Sequence, residues 1–281
     1  MIEALAGDRP EAGPSLAVGT HVTRALRPEE IGRAAQIEAV AAGVRAAMAE
    51  AGIGDAADVH YVQVKCPLLA MERIAEAKAR GRAVATTDTL RSMGLSRGAS
   101  ALGVAVALGE IAAEDAAEAR LCADLGLFST RASASAGVEL MTNEIVVLGM
   151  SAAWSGPLAI DHAVMADGID VEPVRAATTR LGVAAAGQLG EAERALVVAV
   201  LAKAEAPRSG AMRGRRHTML DDSDISATRH ARGFVAGALG GLFGETEIFV
   251  SGGAEHQGPD GGGPCAVIVE RPPVTARKER E

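Results

Sequence analysis

A chain of 281 residues, 48% hydrophobic but only 2% aromatic, is long enough for one large or two ordinary domains with aliphatic, alanine-rich cores. Its net charge of −8 and pI near 5.4 exclude a general binder of phosphate backbones, which needs a basic face. The three cysteines, Cys66, Cys122 and Cys265, are too few and too unevenly spaced for a zinc knuckle or a disulfide framework, and read as small buried residues of a reducing compartment.

Residues 1–15 are polar and rich in Gly and Pro and are expected to form a flexible lead. The N-terminus lacks a basic stretch followed by an apolar one, and no uncharged run reaches transmembrane length, so a cytoplasmic location without membrane or nucleic-acid partners is expected. From Pro28, followed by Glu29 and Glu30, an apolar stripe of Ile31, Ile37, Val40, Val44 and Met48 predicts one long helix that stops at Gly52. Val59, Tyr61, Val62 and Val64 predict a strand with Lys65 at its end, before Pro67. Helices are expected over 68–79 and from about Gly98 to Ala112, then a turn at SAGVE (Ser135–Glu139) and a buried strand over 144–148. Trp154 to Leu158 reads as a linker and places a boundary near residue 152.

The second half restarts with helical segments at about 160–167 and 171–181. A strand-like run over 195–201 leads to Lys203, a helix covers 226–240, and a strand over 247–250 runs into the turn SGGAE (Ser251–Glu255). A glycine-rich loop and a strand over 266–269 follow, and residues 274–281 form a charged tail. The basic residues Arg213, Arg215 and Arg216 read as solvated surface.

The same order thus occurs twice: Lys65, Arg97, Ser135 and then Lys203, Arg232, Ser251, each in a similar local context. This predicts two homologous α+β (α/β-like) units, over 16–152 and 153–273. The chemistry fits a polar, carbonyl-rich substrate. A serine hydroxyl becomes a nucleophile when a lysine of depressed pKa takes its proton, an arginine fork binds a carbonyl or imide anion, and N–H groups of a small-residue turn can hold an oxyanion.

The stretches LRPEEIGRAAQIEAV, HYVQVKCPLL, LSRGASALGVAVALGEI, SASAGVELMTNEIVVLG, VLAKAEA, TRHARGFVAGALGG and SGGAEHQGPDGGGPCAVIVE resemble the ring-opening amidohydrolases, the family of cyanuric acid hydrolase and barbiturase. The resemblance implies hydrolysis of a cyclic imide or ureide in a pseudo-threefold architecture of three homologous domains, of which this chain matches the second and third. It implies Lys65 as the catalytic base and Ser135 as the nucleophile, with Arg97, Ser135, Ala136, Lys203, Arg232, Ser251 and Gly252 binding the ring. It also implies a structural Mg2+ held by the Glu205 carboxylate and by Ala254, Gln257, Gly258, Pro259 and Gly262, largely through main-chain oxygens. The expected partners are a small cyclic imide, further copies of the chain (a tetramer in the family) and a separate first-domain polypeptide. The alternative left open is a non-catalytic binding protein that keeps the arginines but turns nothing over.

Overall fold

The structure, a computed structural model, describes residues 13–271. Most of the expected lead, and the charged tail, lie outside the described residues. In chain order the first half carries β1 (Ser15–Val22), α1 (Ala34–Glu50), β2 (Val59–Pro67), α2 (Met71–Ala79), α3 (Thr89–Ala107), β3 (Ala132–Gly137) and β4 (Glu144–Ser151). The second carries β5 (Leu158–Met165), α4 (Glu172–Arg180), the short α5 (Glu191–Arg194), β6 (Val197–Ala204), a small hairpin of β7 (Ala211–Met212) and β8 (Arg215–Arg216), α6 (Ala227–Phe243), β9 (Phe249–Gly252) and β10 (Gly263–Glu270).

Two four-stranded sheets result, ordered β1-β4-β2-β3 and β5-β10-β6-β9. Their pairing is the same: an antiparallel outer pair, an antiparallel middle pair, and a parallel pair, β2 with β3 and β6 with β9. Side-chain alternation then builds four layers. Val62 and Val64 of β2 pack beneath α1 and α3, whereas Tyr61 points the other way, against Ile160, Ala266 and Ile268 of the second sheet. Cys265, Val267 and Val269 of β10 face α4 and α6. Both sheets are therefore buried on both faces, which is why their strands read as near-continuous apolar runs.

Several expectations are corrected. The helix expected from Pro28 is interrupted: Pro28–Glu30 forms a single 3-10 turn, and Gly32 takes φ +70°, a left-handed conformation that ends it before α1 begins. Ile31 consequently leaves the α1 stripe and packs with Leu26, Leu69 and Ile74. The segment expected to be helical over 160–167 is largely strand β5, since β10 offers β5 eight residues of antiparallel pairing that outweigh local propensity. Helix α3 begins nine residues before the expected start because the Asp88 side chain caps it, accepting from the N–H of Arg91 at 3.0 Å. Strand β1, which no sequence signal singled out, pairs along its whole length with β4 and already includes Ser15 of the expected lead.

Candidate functional site

The two lysines occupy matching positions. In β2, residues 61, 63 and 65 share the face turned to the other sheet, and in β6 residues 199, 201 and 203 do the same. Ser135 and Ser251 lie in the last residues of strands rather than in the turns expected of them. Parallel pairing sets Lys65 opposite Ser135 and Lys203 opposite Ser251. Ala136 and Gly252 follow these serines, opposite Cys66 and Ala204.

The two environments differ. Lys203 is 1% exposed, and its Nζ lies 3.0 Å from Ser251 Oγ, 3.1 Å from the Ala134 carbonyl and 3.3 Å from the Gly252 carbonyl. Burial, and next the Arg97 charge, push its pKa down to about 7 against the opposing pull of Glu255 and Glu205. A neutral amine has two N–H donors and one lone pair. Both carbonyls accept from Nζ in either state, while Ser251 Oγ accepts a third N–H from the ammonium and donates to the lone pair of the neutral amine. Lys65, by contrast, is half-buried, and its Nζ forms an ion pair with Glu139 at 2.8 Å. The ammonium holds the Glu139 carboxyl below the usual carboxylate range.

Arg97 sits in the third turn of α3, not near the helix start, and its side chain is 16% exposed. It crosses to the second half, where its Nε and Nη2 donate to Glu255 at 2.8 and 2.6 Å. Arg232, on α6, packs its stem beside Gly252: a Cβ there would lie 3.2 Å from Arg232 Cδ. The arginines, Lys203, Ser251 and Gly252 thus gather where β3 meets β9. Gln257 ties this junction from below, accepting from the Ala134 N–H at 2.6 Å and donating to the Gly253 carbonyl at 3.1 Å.

Glu205, Ala254, Gly258 and Pro259 line one cavity of about 230 Å³ with Glu255, Arg208 and Thr228. The Glu205 carboxylate accepts from the N–H of Ala254 at 2.9 Å, and burial raises its pKa. Gln257 and Gly262 are not among the residues lining it. The Ala254 and Pro259 carbonyls accept from the N–H groups of Gln257 and Gly262, each at 2.9 Å.

Sequence reasoning gave no role to Glu139 or Glu255, although a signal was present: both repeats read Ser-x-Gly-x-Glu. It also passed over His60, Asp161 and His162, whose ligand-type atoms cluster at the far end of β2 from Lys65. Arg131 Nε donates to His162 Nε2 at 3.3 Å, and His162 Nδ1 lies 2.9 Å from His60 Nδ1. Arg180 holds Asp161 at 2.6 Å. The contacts among His60, Asp161 and His162, with Arg131 and Arg180, tie β2 of one sheet to β5 of the other.

The sequence profile described as "Amidohydrolase ring-opening protein" matches residues 2–270. The chain belongs to this family. It is 64% identical over 266 residues to a cyanuric acid amidohydrolase of Bradyrhizobium sp. (strain ORS 375), covering 94% of this chain and 72% of that one. A cyanuric acid amidohydrolase of Azorhizobium caulinodans is 62% identical over 271 residues, covering 96% and 74%. The crystal structure of a cyanuric acid hydrolase from A. caulinodans superposes with a TM-score of 0.86 at 62% identity, over 95% of this chain and 72% of that one. A second cyanuric acid hydrolase structure gives 0.88 at 49% identity with the same coverage. Among the described residues no helix is long and apolar enough to cross a membrane.

Proposed function

We propose that the chain hydrolyses a cyclic imide or ureide of the cyanuric acid or barbiturate type, opening the ring at a C–N bond. The carrying observation is a serine register-paired with a lysine in each parallel strand pair, with Arg97 and Arg232 gathered at the second pair, in a chain so similar to cyanuric acid amidohydrolases. In this reading Ser135 Oγ attacks a ring carbonyl while Lys65 takes the hydroxyl proton. Arg97, Arg232 and N–H groups at the strand ends around Ala136 and Gly252 hold the ring oxygens and the developing oxyanion. Collapse breaks the C–N bond, the ring nitrogen takes the proton from the lysine, and water hydrolyses the acyl-serine. In this reading Lys65 exchanges its contact with Glu139 for the Ser135 hydroxyl.

A second assignment within the same reaction makes Ser251 the nucleophile and Lys203 its base. It is favoured by their 3.0 Å contact and by a lysine pKa of about 7, which leaves roughly half the amine neutral at pH 7.

The proposal includes Mg2+ at the Glu205 cavity. A buried carboxylate with a raised pKa and no contacting cationic side chain among the described residues, lined by main-chain groups of a glycine-rich loop, suits a hard cation. Glu205 and the carbonyls of Ala254, Gly258 and Pro259 would hold it there, whereas Gln257 and Gly262, which the resemblance also implies, lie outside the cavity lining, and the ion would fix the loop that follows Ser251 and Gly252. Added Mg2+ should raise the thermal midpoint of the native chain but not of Glu205→Gln; an equal rise in both removes the metal from the proposal.

The chain spans 72–74% of those relatives' length, and the proposal extends to a separate polypeptide that supplies the remainder. The test is ring opening of cyanuric and barbituric acids by the purified chain, alone and mixed with the unmatched segment of the Bradyrhizobium relative. Turnover in either arm supports a hydrolase. A folded sample silent in both overturns it and leaves a non-catalytic binding protein.

A further inference from the structure

We infer that Glu255 is a positioning residue: it orients the Arg97 guanidinium so that its remaining edge faces the bound ring. The inference rests on the proposal that Arg97 clamps the substrate. Arg97 comes from α3 and Glu255 from the loop after β9, so the pair joins the two halves at the junction where the candidate site lies. Both carboxylate oxygens are engaged, by Nε and Nη2, and the two side chains are 16% and 17% exposed. Such a fork fixes the plane of the guanidinium and leaves Nη1 and one Nη2 hydrogen as the free donors.

The surroundings are shaped for this pair. Gly253 takes φ +75°, and a Cβ on it would lie 2.7 Å from both Arg97 Cζ and Nε, so the guanidinium rests directly on the bare backbone of the residue after Gly252. On the other side, a Cβ at Gly94 would come within 3.0 Å of Glu255 Oε1. One glycine from each half clears room for one partner of the pair. The equivalent glutamate of the first repeat, Glu139, holds Lys65 of its own repeat instead, so reaching across to an arginine of the other half is particular to Glu255.

A long, flexible arginine loses conformational freedom when it grips a ligand, and a second residue that has already fixed it removes that cost from binding. Glu255 therefore acts on affinity through Arg97 and touches no substrate itself.

The experiment is calorimetric titration of cyanuric acid into the full chain, in a Ser135→Ala, Ser251→Ala background that prevents turnover, with Arg97→Ala, Glu255→Gln, Glu255→Asp and the Arg97→Ala, Glu255→Gln pair added. Near-ultraviolet circular dichroism monitors folding. We expect Arg97→Ala to weaken binding about tenfold or more and Glu255→Gln to weaken it by a similar factor. Glu255→Asp, which keeps the charge, should recover part of the loss. The combined variant should bind no worse than Arg97→Ala alone, which a merely structural role would not produce. Binding by Glu255→Gln equal to that of the background, with Arg97→Ala impaired, overturns the inference and leaves the clamp intact. Undiminished binding by Arg97→Ala overturns the clamp itself, and no binding by the background chain together with no binding or turnover by the unsubstituted chain overturns the reading of the site.

Discussion

Lys65 and Lys203 end equivalent strands, face the same layer between the sheets and each sit opposite a serine, yet their surroundings differ. Lys203 is enclosed by two carbonyls and a hydroxyl away from water, where burial lowers its pKa to about 7, whereas Lys65 reaches a carboxylate at a half-exposed position. A repeated pattern of residue types therefore does not imply repeated chemistry. Desolvation and the nearest charge decide whether a lysine can accept a proton, and neither is a local property of the chain.

The largest effects would come from the two serines. If the dyad of the first repeat does the chemistry, Ser135→Ala lowers kcat for cyanuric acid by about 1,000-fold or more, while Ser251→Ala, removing a contact to a ring oxygen, lowers it by about 10- to 100-fold. The reverse order would transfer the nucleophile to the second repeat, where the lysine is already poised. Unfolding in urea sharpens the contrast between the lysines. Lys203→Met leaves the Ala134 and Gly252 carbonyls without their donor and should cost about 2–4 kcal/mol. Lys65→Met breaks only a half-exposed pair and should leave the midpoint close to that of the native chain.

Where the sheets are bolted together, acid should separate them first. Burial, followed by the charges of His60 and Arg131, depresses the His162 pKa to about 4, so between pH about 6.5 and 4 the unfolded chain binds a proton that the folded one refuses. Stability from this group is complete above pH 6.5, falls as pH drops through that window by up to about 3 kcal/mol, and is level below it. Asp161, its carboxyl pulled well below the usual range by its hydrogen bonds to His60 and Arg180 against the opposing cost of burial, adds a separate loss only at still lower pH. Urea midpoints of His162→Gln should show a flatter profile from pH 6.5 to 4; an unchanged slope would exclude His162 as its source. The smallest difference concerns helix starts. Asp88 caps α3 through its side chain and Ser226 makes no such bond at α6. Asp88→Ala should cost about 1 kcal/mol and Ser226→Ala much less, and equal losses would remove this distinction between the halves.

Much of the architecture was legible because its signals are local. The apolar runs of β2 and β10, the stripe of α1 from Ile37 to Met48 and the twofold order of lysine, arginine and serine can all be read along the chain. Helix α3 carried a readable cap in Asp88 that went unused, and β5 was misread because its state is set by pairing with β10, about a hundred residues away. Glu255 also recurred in print, but its significance depends on an arginine 158 positions away.

By itself the sequence determined the residue types of the candidate site, their order and the strands that lead to the two lysines, since hydrophobic periodicity and turn chemistry act over a few residues. Only the tertiary structure decided that Arg97 would meet Glu255, that Lys203 would be sealed from water and that Lys65 would not. Those outcomes depend on which surfaces exclude solvent and which charges face one another across the two halves, and such quantities exist only once the chain has folded.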